Sequence, residues 1–145
     1  MAQISMDYSK MECVALRLRP HQDLKKELTA VAKRERWKAA CIVTVVGSLE
    51  QINLRYANQE MGVVQKGHFE IVSLTGTFNE SSSHFHLSVS DSLGHTIGGH
   101  LLDDNLVYTT AEIVVGKLTD LEFAREKDST YGYSELSIKP HKKED

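Results

Sequence analysis

His84-Phe-His-Leu-Ser-Val-Ser90, Asp91-Ser-Leu-Gly94 and His95-Thr-Ile-Gly-Gly-His-Leu101 follow one another without a break. The first stretch alternates as a strand does, and the second is a turn in which Gly94 supplies a left-handed position. A three-residue loop, Ser92-Leu93-Gly94, closing as a type I turn with a glycine bulge, pairs Asp91 with His95. Counting back along both strands sets His86 opposite His100, with His84 two residues away on the same face. Cross-strand neighbours stand roughly 5 Å apart at Cβ, close enough for their imidazoles to share one ion. Three neutral imidazoles with one position left open describe a zinc-type site. His84, His86 and His100 are therefore candidate metal ligands. His95 falls on the opposite face and is left out. A polar sheet face with hydrogen-bonded histidines is the plain alternative. Gly98-Gly99 reads either as a bulge, which would break this register, or as a close backbone approach, which would suit a pocket floor or a subunit contact.

Outward from the hairpin, the chain reads as strands with one early helix. Residues 13–19 alternate as a strand until Pro20. Asp23 then suits a helix cap. Leu24, Leu28, Val31 and Ala32 form an apolar stripe with Lys25, Lys26, Lys33 and Arg36 turned to water, which predicts a helix over 23–37. A buried strand over 40–46 follows, punctuated by Gly47-Ser48, with another at 51–56. Residues 58–67 read as loop, 69–78 as strand and 79–83 as loop. Beyond the histidine hairpin, Asp103-Asp104-Asn105 is a turn and 106–115 a strand ending at Gly116. Residues 118–125 suit a short second helix or another strand, and 133–138 a final strand. The fold class is α+β, a mainly antiparallel β-sheet with one main N-terminal helix. Residues 1–11 form an N-terminal extension, 12–138 one domain, and 139–145 a disordered tail. Several strands are apolar on both faces. One helix cannot cover such a sheet, so part of it is expected to pack against another subunit.

A chain of 145 residues suits one domain with a real core. Its net charge of −3 gives no drive toward nucleic acid or an anionic membrane. No apolar run reaches membrane-spanning length, and the first residues lack the basic start and apolar stretch of a signal peptide. Cys13 and Cys41 make no paired motif. Both sit in apolar runs and are expected as small buried hydrophobes in a reducing compartment. The cytoplasm is the expected location; the nucleus stays open.

Two charged residues stand out. Glu112 lies inside Thr109-Thr-Ala-Glu-Ile-Val-Val115, where a carboxylate is costly unless partnered. It reads as a ligand, a general base or a substrate anchor, or else as an edge position or an ion pair with an arginine such as Arg55. Arg55 is the mirror case: it holds an anionic ligand or pairs with an acid. No nucleophile elbow, phosphate-binding loop or dinucleotide fingerprint is present.

His84-Phe-His-Leu-Ser-Val-Ser-Asp91, Gly98-Gly-His-Leu101 and Thr110-Ala-Glu-Ile-Val114 resemble the PPC (plants and prokaryotes conserved) domain family. So do Asp23-Leu24, Val46-Gly-Ser-Leu49 followed by Leu54-Arg55, and Gly132-Tyr-Ser-Glu-Leu136. The resemblance covers about residues 12–138. It implies an α+β fold around an antiparallel sheet, assembly as a homotrimer and, as in single-domain prokaryotic members, a metal, zinc, on His84, His86 and His100. In plants the domain follows DNA-binding AT-hooks and mediates assembly with itself and with transcription factors. This chain has no Arg-Gly-Arg-Pro hook, so direct nucleic-acid binding is not carried over. The plant interaction motif Gly-Arg-Phe-Glu-Ile-Leu corresponds to Gly67, His68, Phe69, Glu70, Ile71 and Val72, the candidate partner contacts, with His68 in place of the arginine.

Two functions follow. One is a homotrimeric, zinc-binding module for assembly or ligand binding, with possible protein partners and no membrane. The other is a metal-dependent enzyme, hydrolase or hydratase-like, with Glu112 as base and Arg55 on an anionic substrate. The discriminating feature is whether Glu112 or Arg55 stands beside the histidines in an open pocket.

Overall fold

The computed structural model describes residues 6–141. In chain order the elements are β1 (Met11–Leu18), α1 (Leu24–Arg34), β2 (Ala40–Arg55), β3 (Val63–Phe78), β4 (Ser83–Ser90), β5 (Thr96–Leu101), β6 (Leu106–Leu118), β7 (Leu121–Lys127) and β8 (Ser134–Pro140). The fold is α+β and mainly antiparallel, as the sequence predicts. Asp23 caps α1: its carboxylate accepts from the Lys25 and Lys26 N–H groups at 3.0 Å each. Leu24, Leu28 and Ala32 form the buried stripe. The helix stops at Arg34, short of the expected 37, because Arg36 turns to a φ of 53°. Trp37 thereby leaves the helix and packs edge-on against Phe78, with ring centroids 6.0 Å apart.

The two strands expected on either side of Gly47 are one. β2 runs through it by register shifts at Ile42/Thr44, Gly47/Leu49 and Leu49/Gln51. Gly47 holds a φ of 150°, where a Cβ would collide with the Thr110 carbonyl. These irregularities bend the strand rather than end it. β3 likewise starts earlier than expected, at Val63, and β6 continues past Gly116.

Bending has a topological result. The strand order is β1-β6-β2-β3-β4-β5, but β5 also pairs with the end of β2, through Leu54↔Leu101 and Arg55↔His100. Four strands, β2 to β5, therefore close on themselves. Inside lie Leu54, Leu87 and Leu101, in one core with Leu24 and Leu28 of α1. The roll encloses one apolar face of these strands. The outward faces still expose Met11, Val43, Val46, Val72 and Tyr108.

Other expectations change. No second helix forms among the described residues: 121–127 is strand β7, hydrogen-bonded to β8 in a two-stranded sheet of its own. Lys139 and Pro140, expected in the tail, pair with Glu122 and Leu121, while Met11, expected in the extension, opens β1. Residues 1–5 and 142–145 lie outside the described residues. Cys13 is exposed and Cys41 only half-buried. Both pair with Gly116 from either side. Burial still pushes the Cys41 thiol above its ordinary value. No helix among the described residues is long and apolar enough to cross a membrane.

Gly98-Gly99 resolves as close approach. A Cβ on Gly99 would lie 2.8 Å from the Arg55 carbonyl oxygen, a backbone atom that cannot step aside. Gly99→Ala should lower the unfolding free energy by about 1–3 kcal/mol, read as a reduced urea midpoint at unchanged slope. An unchanged midpoint would mean that β2 and β5 do not need this contact.

Candidate metal centre

The β4–β5 turn sets the site. Asp91 Oδ1 accepts the N–H groups of Leu93 and His95 at 2.9 Å each. Gly94 takes a φ of 83°, and the Asp91 N–H donates to the His95 carbonyl at 3.0 Å. Those backbone bonds, that to His95 first, hold the Asp91 carboxyl below its usual range. From this turn the strands pair without a bulge, Ser88 with Gly98 and His86 with His100. Phe85, Leu87 and Leu101 are buried, so the alternating His84, His86 and His100 face outward.

Four strands contribute to one row on that face. Thr75 pairs with His86, His86 with His100, and His100 with Arg55. His84 Nε2 and His86 Nε2 stand 3.3 Å apart. One ring nitrogen from each of the three histidines lies within 4.8 Å of the others. Nitrogens bound to one tetrahedral zinc at about 2.0–2.1 Å would be about 3.4 Å apart, so this donor set fits such an ion with small side-chain adjustments. His95 is outside the group and instead meets Asp91 Oδ2 at 3.3 Å.

The electrostatics favour the neutral form of His84 and His100. Burial, then the Arg55 charge, lowers His100 from 6.5 to about 4. Burial, then the Arg125 charge, also moves His84 downward. Neutral imidazole is the metal-binding form. Beside the rings lies a cavity of about 680 Å³, lined by Arg55, Tyr56, Asn58, Gln59, Glu60 and Tyr133 as well as the histidines. Sequence reading found Arg55 but missed the others. Tyr56 to Glu60 follow Arg55 directly, a usable signal. Tyr133 arrives from the β7–β8 connection, and no local pattern announces it.

Glu112 is not brought to this cavity. It sits exposed on β6, with Arg17 and Val46 as its strand partners, where its carboxylate meets water and carries no burial cost. The Arg17 guanidinium donates to Thr110 Oγ1, at 3.1 Å. Of the six candidate partner contacts, Phe69 and Ile71 are buried in the core. His68 stacks on Tyr108 with centroids 4.2 Å apart. Gly67, Glu70 and Val72 are exposed.

A rolled antiparallel sheet joined to one helix, with histidines converging on its outer face, defines a small α+β class. Residues 6–119 match the Plants and Prokaryotes Conserved (PCC) domain, and the chain belongs to that family. The β7–β8 hairpin lies beyond the matched stretch. Bifunctional protein GlmU of Synechococcus sp. (strain JA-2-3B'a(2-13)) is 40% identical over 135 residues, 93% of this chain and 21% of that protein. The chain thus spans about a fifth of the length of the curated GlmU relatives it matches. A hypothetical protein of Salmonella enterica shares the structure with a TM-score of 0.91 and 40% identity, covering 92% of this chain and 97% of its own. Two more distant proteins share the fold. One, from Bacteroides thetaiotaomicron, is described as a candidate DNA-binding protein (TM-score 0.75, 21% identity, covering 90% and 98%). The other is a metal-containing protein of Archaeoglobus fulgidus (TM-score 0.74, 24% identity, covering 91% and 99%).

The depressed histidines predict a pH dependence. Unfolded histidine titrates near 6.5, whereas His100 in the metal-free fold titrates near 4. Between those values the unfolded chain binds more protons, so stability of the metal-free protein falls as pH drops through that window. Urea midpoints measured across it in the presence of a chelator should decline on acidification. A flat or rising profile would refute the neutral assignment.

Proposed function

We propose that this protein is a homotrimeric, zinc-binding PCC-domain module that acts in assembly or ligand binding. The convergence of three histidine ring nitrogens within 4.8 Å is the observation that carries the reading. The Archaeoglobus fold-mate that contains a metal supports it, as does the neutral state of His84 and His100. His84, His86 and His100 hold the ion; zinc bound by three histidines with one open position supplies a Lewis acid to whatever enters the cavity. The apolar side chains left exposed on the outer sheet faces support assembly with further copies, since apolar side chains grouped on a domain surface often mark partner contacts. Those faces carry Val43, Val46 and Val72.

Binding is preferred to turnover because Glu112, the base an enzymatic reading required, stands outside the cavity. A DNA-binding role, the description given to the Bacteroides fold-mate, has no electrostatic support in a chain of net charge −3.

Purified without a nickel column, the wild-type protein should carry about one zinc per chain. His86→Ala and His100→Ala should lose it and keep the trimeric mass in light scattering. Wild type that takes up no metal even after zinc is added would sink the metal reading. A monomeric mass at micromolar concentration would sink the assembly reading.

A further inference from the structure

We propose that the cavity beside the histidines binds a small organic oxyanion, which reaches the open side of the histidine cluster while the Arg55 guanidinium holds its charge. This rests on the metal reading above and names the class of ligand that the metal-loaded cavity takes.

Arg55 is placed by backbone pairing: it is the strand partner of His100. Its side chain is half-buried and makes no hydrogen bond or ion pair with any described residue. Glu60 lines the same cavity, yet it does not engage the guanidinium. The other cations that bear on the rings, Lys25 and Arg125, do not line the cavity. Lys25 pairs with Asp103 at 3.1 Å, and Arg125 Nη2 donates to Thr77 Oγ1 at 3.4 Å. Arg55 is thus, among the described residues, the basic group that lines the cavity, and its donors are free.

An unpaired guanidinium beside a divalent ion concentrates positive charge in a protein whose net charge is −3. That arrangement calls for an anion. The planar guanidinium fork matches a carboxylate or phosphate with two parallel hydrogen bonds. A volume of about 680 Å³ has room for more than the bare charged group. Asn58, Gln59 and Tyr133 give the remaining wall polar atoms, which suits a ligand carrying hydroxyl or amide groups.

The test uses protein loaded with cobalt(II) in place of zinc, because its visible absorption changes when a ligand enters the metal's coordination shell. Malonate and inorganic phosphate are titrated separately into wild type, Arg55→Met, Arg55→Lys and Glu60→Gln. Wild type should show a saturable spectral change, and the tighter of the two anions assigns the ligand to the carboxylates or to the phosphates. Arg55→Met should bind at least about tenfold more weakly, as expected for loss of a charge-assisted pair. Arg55→Lys should fall between, keeping the charge but not the fork. Glu60→Gln should bind no more weakly than wild type. Equal affinity in Arg55→Met, or no saturable change in cobalt-loaded wild type, overturns the inference. Cobalt content per chain separates the two readings: protein that retains no cobalt sinks the metal site. Protein that retains it and ignores both anions sinks the oxyanion alone.

Discussion

The seating of β5 against the end of β2 is the constraint on which the rest depends. Two residue pairs make it, Leu54 with Leu101 and Arg55 with His100. Because side chains alternate, that one register sends both leucines into the core and sends the arginine and the histidine outward together. A slip of β5 by one residue would turn Leu101 out into the cavity and His100 into the core, while β2, held by β3 and β6, kept its faces. Hydrophobic burial and the geometry of the candidate site are therefore enforced by the same pairing. Gly99 lets the two backbones approach closely enough for it.

The hairpin was legible because its turn is local. Asp91 and Gly94 fix the loop, the loop fixes the register, and the register brings His86 to His100. Each step spans few residues and uses a strong turn preference. The continuity of β2 was not legible. A glycine followed by a serine looks like punctuation, and only the Thr110 backbone, from a strand far along the chain, makes Gly47 part of a bent strand. Closure of the sheet is likewise a tertiary event that no local sequence pattern announces. The cysteines misled for a related reason. An apolar run marks a strand well but does not say which of its faces is buried, whether at the edge, as for Cys13 on β1, or inside the sheet, as for Cys41 on β2. Glu112 lies away from the histidine cavity because β6 turns it to the exposed face, the open position that its sequence also allowed.

Charge around the histidines is arranged with one sign dominant. Arg55, Arg125 and Lys25 all disfavour protonated imidazole at His84 or His100, while Glu135 is the one named influence in the other direction. Cations that discourage a proton also discourage a metal ion by simple Coulomb repulsion. Neutral lone pairs and burial favour coordination; the surrounding positive charge opposes it. The balance makes occupancy of the ring nitrogens sensitive to whatever negative charge shares the cavity, which couples ion and anion thermodynamically.

The β7–β8 hairpin forms a sheet separate from the one that carries the histidines. β7 is tied down through Leu121 and Phe123, which pack on Ala39, and through the bond from Asn79 Nδ2 to the Phe123 carbonyl at 2.6 Å. β8 is hydrogen-bonded into a sheet with β7 alone. Tyr133, just before β8, is nevertheless part of the cavity wall. The floor of the cavity is thus built by strands whose register the whole core enforces, and part of its rim by a ribbon with few obligations elsewhere. Changes in that ribbon's length or side chains can remodel what the cavity admits while the three imidazoles stay where they are. In evolutionary terms, selectivity can drift on a fixed chemical foundation.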